Sequence, residues 1–163
     1  NSLGMTKVYF IVSSSTASAS ELVINSLSAY IDVYLVGRKT VGKQVGSITL
    51  YDSENLLRNG KNLNNKHAYA IQPIVLEISN KDNQNHPEGF TPGTSLPGIE
   101  LAENFGNLGV LGERSDPLLD RTITYILTGA KSSFDLKIQP FQDEIFNSKL
   151  ASPTSNNMYV ELK

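Results

Sequence analysis

Lys7-Val-Tyr-Phe-Ile-Val12 runs straight into Ser13-Ser-Ser-Thr-Ala-Ser18-Ala-Ser-Glu21, and Asp32-Val-Tyr-Leu-Val36 follows before Gly37. The first run is short, apolar and rich in β-branched and aromatic residues, which reads as a buried strand. The small polar residues after it read as a turn. From about Ser18 to Tyr30 the apolar residues Val23, Leu27, Tyr30 and Ile31 recur at helical spacing. Ser18-Ala-Ser-Glu21 fits the capping box, in which a hydroxyl and a carboxylate satisfy each other's backbone N–H groups, so the helix is expected to start at Ser18. Asp32 to Val36 reads as a second strand. Strand, helix and strand in that order make the βαβ unit of a parallel sheet, whose crossover should be right-handed. The fold class that follows is α/β.

Outward from this unit, a polar loop ends at Gly42-Lys43 and Val45 to Tyr51 reads as a further strand. Ser53 to Asn65, rich in asparagine, reads as loop or a short irregular helix. His67 to Ile78 is the longest extended pattern, with Pro73 demoting part of it to an edge or a bulge. Lys81 to Gly98 gathers Asn, Gly and Pro into a long loop, a length more often functional than idle. Ser115-Asp116-Pro117 is a strong helix start, Leu119, Ile123, Ile126 and Leu127 give one apolar face, and Gly129 supplies the stop. Residues 1–130 read as the folded part, and residues 131–163 as an irregular tail with a candidate terminal strand at Met158 to Leu162.

The chain has 163 residues, enough for one domain with a real core and too few to argue for two. Fourteen basic against sixteen acidic residues leave a formal charge of −2, which is no electrostatic footprint for nucleic acid. With no cysteine, disulfides, thiol chemistry and thiolate-bound metal are excluded. No apolar stretch approaches the length of a membrane span, and the first residues lack the charged-then-apolar pattern of a signal peptide. The start at Asn1 rather than methionine reads as that of a processed or excised piece of something longer.

The chemistry concentrates at Ser18 and at Thr40-Val-Gly-Lys43. A hydroxyl at a strand-to-helix turn sits where backbone N–H groups are unpaired and the helix dipole favours negative charge. An acyl-transfer oxyanion needs those conditions. A serine hydroxyl is a poor nucleophile until a base removes its proton, and a lysine can serve only where burial disfavours its charged form. Lys43 follows Thr-Val-Gly, an uncharged setting compatible with a dry position, and Arg38 and Lys39 could add like-charge repulsion. The plainer reading is also open: Ser18 merely caps a helix through Glu21, and Lys43 is a solvated turn residue.

The block from Thr16-Ala-Ser18-Ala-Ser-Glu21 to Thr40-Val-Gly-Lys43 resembles the active-site segment of the C-terminal-processing, or tail-specific, serine peptidases. In that family the nucleophile is the first serine of Ser-Ala-Ser-Glu, and the base is a lysine twenty-five residues later, as Lys43 is from Ser18 here. Glu88-Gly-Phe-Thr-Pro92 resembles a downstream Gly-aromatic-x-Pro segment, and Ser115-Asp-Pro-Leu-Leu119 the start of a closing helix. The likeness is strong over residues 7–46, patchy to about Gly129 and absent beyond. It implies a ClpP/crotonase-like fold, a parallel-sheet βαβ core with additional strands, with Ser18 as nucleophile and Lys43 as general base. The Ala19 N–H would be an oxyanion donor, and no cofactor is required.

Many members carry a glutamine four residues after the lysine; that position here is Ser47, and Gln44 adjoins Lys43, so Gln44 and Ser47 are the candidates for orienting the amine. The resemblance also implies protein or peptide C-termini as substrates and the bacterial cell envelope, periplasmic or membrane-anchored, as the location. An upstream PDZ module and the first half of the protease core would complete a parent chain, and homo-oligomers are a further expectation. Without that half, the chain alone is expected to be inactive.

Other chemistries find less support. His67 and His86 are the only histidines, with no Gly-x-Ser-x-Gly beside them, and both read as structural or solvated. His-Glu-x-x-His is absent, and the Asp52-Ser-Glu54 and Asp143-Glu144 carboxylates read as solvated surface. A non-catalytic ligand- or peptide-binding module on the same fold is the alternative from a different class.

Overall fold

A computed structural model describes residues 3–129; the tail strand expected at Met158 to Leu162 lies outside them. The described residues divide into two compact units, residues 3–49 with 72–129, and Leu50–Ile71.

The first unit is mixed α/β, with a parallel sheet and two helices. β1 (Lys7–Val12) and β2 (Asp32–Gly37) pair in parallel with no register break, from Lys7 opposite Asp32 to Val12 opposite Gly37. Between them runs α1 (Ala19–Ser28), with Ser18 as its N-cap. The expected βαβ unit is therefore present. Gly37, at the end of β2, has φ 134°, and a Cβ there would lie 1.8 Å from the Val12 carbonyl oxygen, so only glycine allows the strands this approach.

Alternation along the strands sends successive side chains to opposite sheet faces. Val8, Phe10, Val12, Val33 and Leu35 meet Ile24, Leu27 and Ile31 on the α1 side, with Phe90 fully buried among them. Tyr9 and Tyr34 stack on the other face, ring centroids 4.7 Å apart, and Tyr125 stands edge-on to both. Tyr125 belongs to the helix spanning Pro117–Thr128. Each fully buried aliphatic side chain of this kind is worth about 1.5–3 kcal/mol relative to exposure.

The run from Val45 to Tyr51 is two strands, not one: β3 (Val45–Ser47) in the first unit and β4 (Leu50–Tyr51) in the second. The extended stretch after His67 is likewise split at Gln72-Pro73 into β5 (Ala70–Ile71) and β6 (Ile74–Glu77). β3 pairs antiparallel with β6, with an irregularity between Gly46 and Ser47, and β4 pairs antiparallel with β5. Proline lacks the N–H that a continuous ladder needs, which accounts for the break at Pro73.

The long loop after Lys81 ends in a strand the sequence pattern did not suggest. β7 (Gly98–Glu100) lies parallel to β2, with Leu35 opposite Gly98, and makes the sheet order β1-β2-β7. Three residues led by glycine carry too little apolar periodicity to be read as a strand, and only the waiting edge of β2 makes them one.

α2 (Pro117–Thr128) closes the unit. Its start and stop are as expected: the Asp116 carboxylate accepts from the Leu118 and Leu119 N–H groups, Pro117 opens the first turn, and Gly129 ends the helix in a left-handed conformation. In both helices the buried face differs from the expected one. α1 buries Glu21, Ile24 and Asn25 while Val23 is 48% exposed; α2 buries Leu118, Thr122 and Tyr125 while Leu127 is 72% exposed. Apolar spacing located the helices but misassigned part of each face: in α1 the polar residues turned inward have partners on other segments, and in α2 Tyr125 packs on Tyr9 and Tyr34.

Candidate active site

The chain leaves β1 at Val12 and turns at once. Ser13 N–H donates to the Thr16 hydroxyl at 2.9 Å and Thr16 N–H to the Ser13 carbonyl at 3.0 Å, which locks the turn. Ser18 then enters α1 with φ 55° and ψ −115°, a positive φ that a residue with a Cβ rarely adopts. Such strain costs on the order of 1–3 kcal/mol and persists only where the surroundings enforce it. Ser18 and Ala19 are exposed, and the Ala19 N–H has no partner among the described residues. An unpaired first-turn N–H beside an exposed hydroxyl is the expected arrangement for an oxyanion donor.

What enforces the strain is Glu21. Its side chain is fully buried, and its two carboxylate oxygens accept four hydrogen bonds. Oε2 takes the Ser18 N–H at 3.0 Å and the Lys43 N–H at 2.8 Å. Oε1 takes the Gly42 N–H and the Thr40 hydroxyl, both at 2.6 Å. A carboxylate offers only acceptors, so four converging donors satisfy it where water does not reach. One oxygen of Glu21 thus holds the backbones of both Ser18 and Lys43. The Ser18 side chain faces the Glu21 N–H as the other half of the capping box, but not in a tight hydrogen bond.

The Lys43 turn is clamped from its far side as well. Thr40 is buried; its N–H donates to the Phe90 carbonyl at 3.0 Å, and its hydroxyl accepts from the Phe90 N–H at 2.8 Å. Val41 N–H donates to the Thr16 carbonyl at 2.9 Å, which ties this turn to the one before Ser18. Gly42 has φ 88°, and a Cβ on it would fall 2.0 Å from the Pro87 carbonyl oxygen. The stretch from Pro87 to Phe90 therefore holds Thr40 and Gly42 in place.

The sequence-derived residues separate in space. Ser18, Ala19 and Lys43 gather around Glu21 through the main chain. Lys43 itself is exposed, and no hydrogen bond joins its ammonium to the Ser18 hydroxyl, so the described residues do not supply the dry setting a neutral lysine requires. Gln44 is 2% exposed and points to α1, where its Oε1 accepts from Asn25 Nδ2 at 3.0 Å and from the His86 N–H at 3.4 Å. Ser47 lies exposed at the end of β3, at the irregularity of that strand.

Glu21, Thr40 and Asn25 were not singled out as site residues. The capping-box pattern did point to Glu21, but as a helix-capping side chain rather than the anchor of a distant turn. Asn25 left no signal, since a polar residue on a helix reads as solvated.

The histidines hold structure. The His86 ring packs on Phe90, centroids 4.5 Å apart. In the second unit, His67 Nδ1 accepts from the Tyr69 N–H, so Nε2 carries the proton and faces Asp52 Oδ2 at 3.2 Å. Hydrogen bonds from Asn64 and then from His67 hold the Asp52 carboxyl below its ordinary value. Both ring nitrogens of His67 are thereby occupied within its own unit. Among the described residues no group of three or more His, Asp or Glu is placed to hold a metal, and no helix is long and apolar enough to cross a membrane.

No family model matches the chain, nor does any curated protein sequence. Among solved structures it is similar to a protein of Bacteroides fragilis named "Putative S41 protease", at 23% identity and a TM-score of 0.58. The likeness covers 78% of this chain and 29% of that one, so the chain spans under a third of the length of its structural neighbour. At this identity the likeness is one of fold.

Proposed function

We propose that this chain carries the nucleophile and base of a serine peptidase of the C-terminal-processing type, built on a ClpP/crotonase-like scaffold. The observation that supports it most is the shared carboxylate: Glu21 Oε2 accepts from the backbone of Ser18 and of Lys43, two residues twenty-five apart that the family resemblance independently pairs. The positive φ of Ser18 at a helix N-terminus is the second support, since strained serines on strand-to-helix turns are a recurring device for exposing a nucleophile. The fold likeness to a protein named for proteolysis is the third.

In this reading Ser18 Oγ attacks the scissile carbonyl while neutral Lys43 takes its proton. The Ala19 N–H donates to the oxyanion at the positive end of the α1 dipole. Lys43 then returns the proton to the leaving amine, and water releases the acyl group. The desolvation that Lys43 needs comes with substrate, or with further polypeptide of a longer protein. Substrates are extended protein or peptide C-termini bound by strand addition, which reads backbone more than side chains. An upstream PDZ module and first half of the core, a cell-envelope location and homo-oligomers belong to the same proposal, as does a boundary near residue 130 between catalytic part and tail.

A second reading, a non-catalytic peptide- or ligand-binding module, is favoured by the exposed Lys43 and its lack of a bond to Ser18. The two separate in one experiment on the full-length protein with an unstructured C-terminal tail as substrate. Ser18→Ala and Lys43→Ala should each abolish cleavage and labelling by a fluorophosphonate while circular dichroism stays unchanged. Full cleavage in either variant removes the Ser–Lys pair. Tail binding without cleavage by the unmodified protein selects the binding module.

A further inference from the structure

The geometry points to Asn25 as a positioning residue that sets Lys43 through Gln44, so that one helix carries the nucleophile at its cap and the gauge for the base along its side. This inference rests on the Ser–Lys reading above.

Glu21 and Asn25 are four apart on α1, hence on one helix face, and both are buried, at 0% and 1% exposure. Buried polar side chains are costly unless their donors and acceptors are met, and here they are met by the segment around Lys43 together with Asn80 and Gln84. Glu21 takes the N–H groups of Gly42 and Lys43. Asn25 Nδ2 donates to Gln44 Oε1 at 3.0 Å and to the Gln84 carbonyl at 2.9 Å. Lys43 lies between these two anchors at the apex of a tight turn, closed by Gln44 N–H to the Gly42 carbonyl at 3.1 Å. A residue held on both flanks loses the backbone freedom that would let its side chain sweep.

The outer anchor is itself braced. Asn80, 7% exposed, donates through Nδ2 to Asn25 Oδ1 at 3.2 Å and to Gln84 Oε1 at 3.1 Å. Ile78 N–H donates to the Gln44 carbonyl at 3.0 Å, so Gln44 is fixed by main chain as well as side chain. No hydrogen bond among the described residues joins this cluster to Ser18 or the Lys43 amine. Its action is indirect: it fixes where the backbone of residues 42–44 lies relative to the helix that presents Ser18. A displacement of about 1 Å of a reacting group can cost about a hundredfold in rate.

The test uses Asn25→Leu, Gln44→Leu and the double variant in the full-length protein. Each single change breaks the Asn25–Gln44 bond, leaving Gln44 Oε1 with the His86 N–H or Asn25 Nδ2 with the Gln84 carbonyl, and should lower the melting temperature. The double removes both ends of the broken bond and should regain part of that loss. Positioning predicts that the melting temperature recovers in the double while kcat does not. Each variant should lose about 10- to 100-fold in kcat with KM within about twofold. If kcat recovers with stability, or only KM moves, the inference is overturned.

Should the unmodified protein lack Ser18-dependent turnover, the peptidase reading fails on its own. The positioning claim is then decided by amide hydrogen exchange in folded protein. Exchange at the Gly42 and Lys43 N–H groups should rise at least about tenfold in Gln44→Leu if Gln44 helps hold this turn, and unchanged exchange overturns it.

Discussion

α1 and α2 cover opposite faces of the same sheet, and each begins with a capping residue, yet they are built for different ends. α2 starts at Asp116 with ordinary extended backbone, φ −72° and ψ 114°, and the carboxylate is spent on the Leu118 and Leu119 N–H groups. α1 starts at Ser18 with φ 55°, and its side chain makes no tight cap. α2 buries Leu118, Thr122 and Tyr125, where the Thr122 hydroxyl donates within its own helix, to the Leu118 carbonyl at 2.7 Å. α1 buries Glu21 and Asn25, whose partners lie on other segments. One helix is a lid over an aromatic cluster. The other is a frame that holds a turn, and it accepts strain at its cap to do so.

The sharpest way to break this contrast is to compare the two caps. Ser18→Ala should reduce turnover by about a thousandfold or more while stability changes by no more than about 2 kcal/mol. Steady-state kinetics beside a denaturant melt reads both; a proportionate fall in stability would make Ser18 an ordinary cap. Next in size is Glu21→Ala, which strands the buried Thr40 hydroxyl and leaves the part-buried N–H groups of Ser18, Gly42 and Lys43 without their acceptor. Each unmet donor costs about 1–3 kcal/mol, so the loss should reach several kcal/mol or prevent folding. Glu21→Gln, which keeps the shape and puts a donor against donors, should fall between Glu21→Ala and the unmodified protein. A neutral result for both would dissolve the frame.

On the α2 side, Tyr125→Ala should cost about 3–5 kcal/mol through the cavity it opens over the stacked Tyr9–Tyr34 pair, with little change in fluorophosphonate labelling of Ser18. Burial, then the neighbouring Tyr34 and Tyr9, raises the Tyr125 hydroxyl above its ordinary value of 10.0. Because the folded state holds that proton more tightly, its contribution is fully present below pH 10.0 and is lost as pH rises through the higher folded value. Tyr125→Phe should flatten this alkaline limb in a melting series. The smallest effect belongs to Asp116→Ala, about 0.5–2 kcal/mol from the lost cap, with catalysis intact.

The two helices also differ in how they were legible. Both starts were readable, because capping is a matter of side chains within three residues of each other. Both faces were partly misread, for reasons that are not the same. In α2, Leu127 is exposed and Tyr125 buried because the aromatic pair Tyr9 and Tyr34 selects an edge-on ring over an aliphatic one. In α1, Glu21 and Asn25 go inward because donors and acceptors from residues 40–44 and 80–84 await them. Hydrophobic spacing carries no information about such partners.

The amino-acid sequence by itself determined the strand–helix–strand order, both helix starts, the stop at Gly129 and the Ser18–Lys43 spacing. All of these rest on local steric and hydrogen-bonding rules or on the count of residues between two motifs. Only the tertiary structure decided that Gly98–Glu100 is a strand, that Val45 to Tyr51 is two, and that Gln44 faces Asn25 rather than Lys43. It alone gave Glu21 its role. A buried carboxylate is tolerated only where enough donors converge on it, and three of its four donors are brought from 19 to 22 residues away by the return of the chain along β2.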